Sequence, residues 1–381
     1  CIGAWVGIVY NQSKKATERE KVADTYQFFR DGVFRDDAGY KHFPINTVFG
    51  PDWRTNIDAF NKFVRDPENY QDFQWQPYTA FDCIQESLEI LFSHMPHGDQ
   101  PARRLSEGDF NRWILNQVMA PNPFIRYLTS LMYLSDVNGL SRINYPDSDF
   151  MHKIKFNELY NREKPFIFHN AWDLDHHELA FFANRPVRMS SRPEDKIKKR
   201  YEGPITAESL CACSGLPFIE ETVKIDKTTY CEGALVDTVN FEGLLDLQEQ
   251  LGHEIDEIWV SRIVDSKQIR KPKNLHDALA NLCQLFAASV GEDDVKLFKY
   301  HVRYDNREAE ESKGTDSKGR NAKAPKTETS KAKPSSAEQS QDERAEQPRR
   351  LWNGTVVEIH VPGHINFKWD RSNLDTGRRL G

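Results

Sequence analysis

Apolar residues open the chain at helical spacing. Ile2, Trp5, Val6 and Val9 recur every three or four positions, with the small residues Gly3, Ala4 and Gly7 between them. That pattern predicts a helix that a neighbouring element can approach closely, with Asn11, Gln12 and Ser13 supplying its end. A second, amphipathic helix is predicted from about Glu18 to Arg30. Further along, the period changes. Pro165 to Phe182 carries apolar runs on either side of a polar turn, which predicts two strands joined near Asp175. Val223 to Tyr230 alternates about Asp226 and Lys227, a second hairpin, and runs directly into Cys231, Glu232, Gly233 and Ala234. Ile255 to Ser261 reads as a buried strand, Leu275 to Val290 as a helix, and Trp352 to Val361 as an alternating strand after a turn. Helices interspersed with strands predict an α/β fold.

Two stretches break this rhythm. Residues 41–146 are rich in aromatics and proline and contain helical patterns at Ala80 to Phe92 and Asp109 to Met119, so they are read as a helical cap. Within the second pattern Phe110, Trp113, Ile114 and Val118 share one face, which is core spacing. Residues 305–350 contain no Val, Ile, Leu, Met, Cys or aromatic residue and are dominated by Lys, Glu, Ser, Ala, Gln and Pro. Such a segment buries too little to offset its ordering entropy, so 303–350 is predicted to be a disordered, charged insertion between two strands. The expected organisation is one domain over 1–302, the insertion, and the last part of the same domain over 351–381. Ser372 onward reads as the opening of a helix.

The chain has 381 residues, enough for a full core, and a net charge of −7, which argues against general nucleic-acid binding. No run approaches the roughly 18 apolar residues that a membrane helix needs, so no transmembrane segment is expected, although peripheral contact with a membrane stays open. The six cysteines form no Cys-x-x-Cys pair and no disulfide-dense spacing, which favours reduced thiols and a cytoplasmic location. The first residue is Cys1 rather than Met, so the natural start is expected upstream, or at a processing site that exposes Cys1.

Candidate chemistry begins at that residue. Cys1-Ile2-Gly3-Ala4 places a nucleophile at the start of a small-residue helix, in the manner of the back half of a nucleophile elbow. The turn needs small flanking residues, and the helix N-terminus favours a thiolate or a developing oxyanion. Four segments taken in order then resemble the patatin-like phospholipase family: this elbow and its helix, Ala212-Cys213-Ser214-Gly215-Leu216-Pro217, the hairpin at 223–230, and Glu232-Gly233-Ala234-Leu235-Val236-Asp237. The resemblance covers most of 1–11 and 160–300. It implies a sheet sandwiched by helices and a nucleophile–carboxylate dyad that hydrolyses lipid or other acyl esters without metal or cofactor. Carried onto this chain, the family's Ser position is Cys1 and its Asp position is Glu232, with Asp237 as the reserve acid. A deprotonated thiol is a competent nucleophile, and Glu performs the same proton transfer as Asp. The family's glycine-rich oxyanion loop precedes the elbow and is not in this sequence.

Two other readings accompany this one. The doubly altered dyad also suits a lipid-binding or regulatory relative without catalysis, and a processed Cys1 suits an N-terminal-nucleophile hydrolase whose own α-amine is the base. His169, Asp173, Asp175, His176, His177 and Glu178 cluster in sequence but lack a metal-ligand spacing, and they are read as strand and water-facing turn. Cys211 and Cys213 are read as packed thiols on a short helix capped by Thr206.

Overall fold

The computed structural model describes residues 2–43, 53–67, 111, 127, 139–141, 148–188, 198–241, 244, 247–248, 254–262, 269–319, 352–363 and 368–380. Cys1, the patterns at 80–92 and 109–119 apart from Asn111, and the charged stretch beyond 319 lie outside them. The chain divides into two compact units. One comprises Cys1–Thr47, Pro146–Ser214 and Val223–Gly381, and the other Val48–Tyr145 with Gly215–Thr222.

The first unit opens with helices α1 (Ile2–Gln12), α2 (Glu18–Gly32) and α3 (Asp37–His42). In α1 the buried residues are Trp5, Ile8 and Val9, while Ile2 and Val6 are exposed. The inward face is therefore set by the 5, 8, 9 spacing rather than by 2, 5, 6, 9. Among the described residues nothing stands within 4 Å of a Cβ placed on Gly7, so none of them uses that glycine for close approach. Helix α2 starts at a reciprocal capping box: Glu20 N–H donates to Thr17 Oγ1 at 3.3 Å, and Thr17 N–H donates to Glu20 Oε2 at 3.1 Å.

In the second unit, α4 (Trp53–Arg65) buries Phe63, and Phe60 and Phe63 meet Tyr127 edge-on at 5.1 and 5.5 Å. There, strand β1 (Gly139–Ser141) pairs in parallel with Phe218–Glu220. The region read as a helical cap thus includes a short strand.

Back in the first unit, β2 (Phe168–Asp173) and β3 (Glu178–Ala183) form the expected hairpin. They are followed by β4 (Lys198–Pro204) and α5 (Ala207–Ala212); the strand already named at Phe218–Glu220 is β5. Strands β6 (Val223–Ile225) and β7 (Thr228–Glu232) close the second hairpin over Asp226 and Lys227. Asp226 there has φ 54°, a left-handed conformation that a short side-chain carboxylate tolerates. The resulting five-stranded sheet has the order β4-β3-β2-β7-β6, antiparallel except for β3–β4. Its central strand is β2.

A separate two-stranded parallel sheet joins β8 (Glu257–Arg262) to β9 (Thr355–His360). Only one side of β8 is buried: Ile258 and Val260 face inward, and Trp259 is 62% exposed. The expectation of a buried strand holds for that side alone. Helix α6 (Leu275–Gly319) covers the inward side, with Val295 and Phe298 packed among Phe241, Ile258, Val260 and Trp352. The helix continues past 302 into residues predicted to be disordered. Glu, Lys, Arg and Ala are good helix formers, and a helix that satisfies its own backbone needs no apolar side chains to continue. The charged segment therefore follows a helix rather than a strand. Within α6, Asn306 meets the chain 46 positions on: its Nδ2 donates to the Trp352 carbonyl at 2.9 Å, and Trp352 N–H donates to its Oδ1 at 3.2 Å. The last helix, α7 (Arg371–Leu380), begins where Arg35 and Asp370 form a parallel bridge.

Among the described residues no helix is long and apolar enough to cross a membrane. The architecture is mixed α/β with a mixed sheet.

Candidate functional site

Strand β2 serves two sites because successive side chains leave a strand on opposite sides. On one side is Asn170, buried and set against the turn that follows β7. Glu232 ends β7, paired with Ala171, and a 3-10 turn at Gly233–Leu235 follows. A Cβ on Gly233 would stand 2.4 Å from Asn170 Oδ1 and 2.9 Å from the Asn170 carbonyl carbon. Only glycine fits there. Asn170 Nδ2 reaches across the turn and donates to the Asp237 carbonyl at 3.1 Å. From the far side, Asp294 of α6 accepts the N–H groups of Thr238 and Val239 at 2.8 and 3.3 Å, and Thr238 Oγ1 donates to the Ala234 carbonyl at 2.6 Å. The Glu232–Val239 loop is thereby clamped by a strand and a helix.

The two candidate acids separate within this loop. Asp237 is 3% exposed, and its Oδ1 accepts the Phe241 N–H at 3.0 Å, so its carboxylate serves the turn. Glu232 is half-buried at the strand end. Its charge reaches two thiols. Burial, and after it Glu232, pushes Cys231 up to about 11 and also raises Cys283 of α6.

On the other side of β2, His169 is 4% exposed, stacks on Phe182 of β3 at 5.3 Å and lies 3.2 Å from Ser209 Oγ in α5. Helix α5 begins at Thr206, as expected, with Ser209 completing a capping box. Cys211 and Cys213 at its end are buried and form no disulfide, in keeping with the packed reading. Ser214 follows, and its hydroxyl accepts the indole N–H of Trp5 in α1 at 2.6 Å. Helix α1 is thus tied to the Cys213–Ser214 segment.

The structure places the resembling segments as follows. Helix α1 meets Ser214, α5 packs against β6 and β7, and β7 delivers Glu232. Cys1 lies outside the described residues, so its separation from Glu232 is not among the distances here. Sequence reasoning missed Asn170 altogether. A polar residue in a strand gives no signal of a partner 67 positions away. The glycine after Glu232 was the available clue.

The hairpin cluster also needs correction in one respect. Asp173 was read with a water-facing turn, yet it is fully buried. Its Oδ2 lies 2.5 Å from Arg200 Nη2 and 2.9 Å from His176 Nδ1, and its Oδ1 accepts the N–H groups of Asp175 and His176 at 2.8 and 2.9 Å. Arg200 of β4 also meets Glu202 at 2.7 Å, Tyr230 Oη at 3.2 Å and Glu178 at 3.4 Å. Burial raises the Asp173 carboxyl, and the hydrogen bonds it receives from His176 and Asp175, together with the charge of Arg200, more than reverse it, so the group stays below the usual carboxylate range. Among the described residues no three His, Cys, Asp or Glu side chains gather as metal ligands.

Comparison with protein-family models, with curated proteins and with solved structures returns no match.

Proposed function

We propose that the chain is a lipid acyl hydrolase of the patatin-like phospholipase type, with the helix-sandwiched sheet of that family, in which Cys1 is the nucleophile and Glu232 its carboxylate partner. The observation that carries the reading is the Glu232–Gly233 corner. The glycine is required by the approach of Asn170, and the loop is held at both ends, so the Glu232 carboxylate leaves a rigid strand terminus while Asp237 is committed to its own turn. A carboxylate that must accept a proton at a fixed point needs that kind of support. Glu232, not Asp237, is therefore the acid of the dyad.

In the proposed reaction Cys1 attacks the ester carbonyl and its proton passes to Glu232. The alcohol leaves with that proton, and water activated by Glu232 then releases the acid. The test is hydrolysis of a p-nitrophenyl ester and of a lysophospholipid by the wild type, C1A and E232Q. Turnover lost in both variants supports the dyad. Undiminished turnover in C1A overturns it, and lipid binding with no turnover in any of the three leaves a non-catalytic relative.

A further inference from the structure

We infer that the outer face of α6 is an interaction surface for a second copy of this chain, laid against it in the antiparallel sense. Helix α6 carries two faces. The inward one places Ala288, Val295 and Phe298 in the interior. On the opposite side Leu282 is 65% and Tyr300 64% exposed, with Leu285, Phe286 and Leu297 also open to solvent. Positions 282, 286, 289, 293, 296, 300, 303 and 307 step by four and three residues in turn, and all of them are exposed. That alternation keeps a seam on one side of a helix, here over about 38 Å, and it is the spacing by which two helices interlock. A face that only met water would be polar all along, and large apolar side chains gathered on one mark a contact surface.

The order of residues along the seam commits it to one partner and one direction. The seam begins apolar at Leu282 and Phe286, turns acidic at Asp293 and basic at Lys296, and ends aromatic and cationic at Tyr300 and Arg303. Two copies related by a two-fold axis between Asp294 and Val295 set each part against its complement. Asp293 then faces Lys296 of the second copy, and the symmetry makes that pair twice. Phe286 faces Arg303 of the second copy, a ring against a guanidinium, and Ser289 faces the hydroxyl of Tyr300 of the second copy. Within one chain Lys296 lies 3.8 Å from Glu292 and 3.7 Å from Asp293, with its side chain 71% exposed. Such long, exposed contacts are worth little, so the ammonium exchanges them readily for one across the seam. A parallel pair would instead oppose Asp293 to Asp293, Lys296 to Lys296 and Arg303 to Arg303, and like charges opposed across an interface are costly. Polar residues at seam positions fix direction and register at the expense of affinity, so association depends on concentration.

The experiment measures the mass of the full chain by analytical ultracentrifugation over a wide range of concentration, and needs no turnover. The wild type is expected to pass from one chain mass to two as concentration rises. Y300E, which sets a carboxylate on the seam, stays at one. D293K and K296D each weaken association by about tenfold, because each opposes like charges twice about the axis, and the D293K/K296D double variant regains most of it. The substituted side chains are exposed, so circular dichroism should report an unchanged fold in every variant. Direction is read by mixing S289C chains with Y300C chains and oxidising them, when the disulfide should join unlike chains. The antiparallel seam holds the two Ser289 positions about 16 Å apart, too far for a disulfide, so S289C chains that join each other overturn the arrangement. A wild type that keeps one chain mass at every concentration overturns the inference, and sedimentation with phosphatidylserine vesicles that Y300E abolishes would then assign the face to a lipid surface. A dimer indifferent to both Y300E and D293K overturns it too, since that dimer forms elsewhere on the chain.

Discussion

The five-stranded sheet and the two-stranded sheet are built from similar residues and live in different surroundings. Every residue of β3 from Leu179 to Ala183 is at most 3% exposed, whereas β8 alternates between buried Ile258 and Val260 and a Trp259 that is 62% exposed. The central β2 is covered on one side by α5 and on the other by the Glu232–Val239 loop. Polar groups caught there must find partners inside the protein, because an unpaired buried group is costly. Hence the bonds from Asn170 to Asp237 and from Asp173 to Arg200. Strand β8, with one open side, meets that demand at its end, where Arg262 pairs with Glu358 of β9 at 3.0 Å. Glu232 accordingly ends a strand of the sheet where burial enforces geometry.

Truncating an aromatic in each sheet is the sharpest way to break the contrast. Phe181→Ala, at a side chain with no exposure, should cost about 3–5 kcal/mol, and Trp259→Ala should change stability by no more than about 0.5 kcal/mol, both read from urea unfolding. Equal losses would show that β8 is covered in solution. Asp173→Ala comes next, since it leaves Arg200 facing Glu178 and Glu202 without its shortest ion pair. A loss of about 3 kcal/mol is expected, at the low end for a buried pair because Arg200 keeps some solvent contact.

The same carboxylate gives a pH prediction with a definite sign. Its folded pKa lies below 3.8, so the stabilisation it confers is fully present above that value and is lost as pH falls through the lower folded value. Asp173→Asn should flatten this part of the acid limb of stability against pH, and an unchanged limb would remove Asp173 from the account. A smaller effect is expected for Gly233→Ala. The added Cβ must displace Asn170, at about 1–3 kcal/mol, with hydrolysis falling more than stability if the corner sets Glu232. The smallest is Thr206→Ala, about 1 kcal/mol from loss of the α5 cap.

What could be read from the sequence was local. Both hairpins, α2 and the Thr206 cap are decided by alternation, period and side chains within four positions, and they stand where the pattern put them. The errors concern partners far along the chain. Asp173 looks like a turn residue until Arg200 arrives from β4, and Asn170 has no visible task until the Gly233 turn returns beside it. On α1, Ile2 and Val6 have the right spacing, but the burial of Ile8 turns the helix face away from them. The run of α6 beyond 302 eluded a reading based on apolar content, since a helix needs none to satisfy its backbone.

The reciprocal amide pair between Asn306 and Trp352 has a practical corollary for protein engineering. The two bonds clasp Trp352, three positions before β9, to the side of α6, so Asn306→Ala is a single change with which an engineer could loosen that strand from the helix while leaving every core side chain in place.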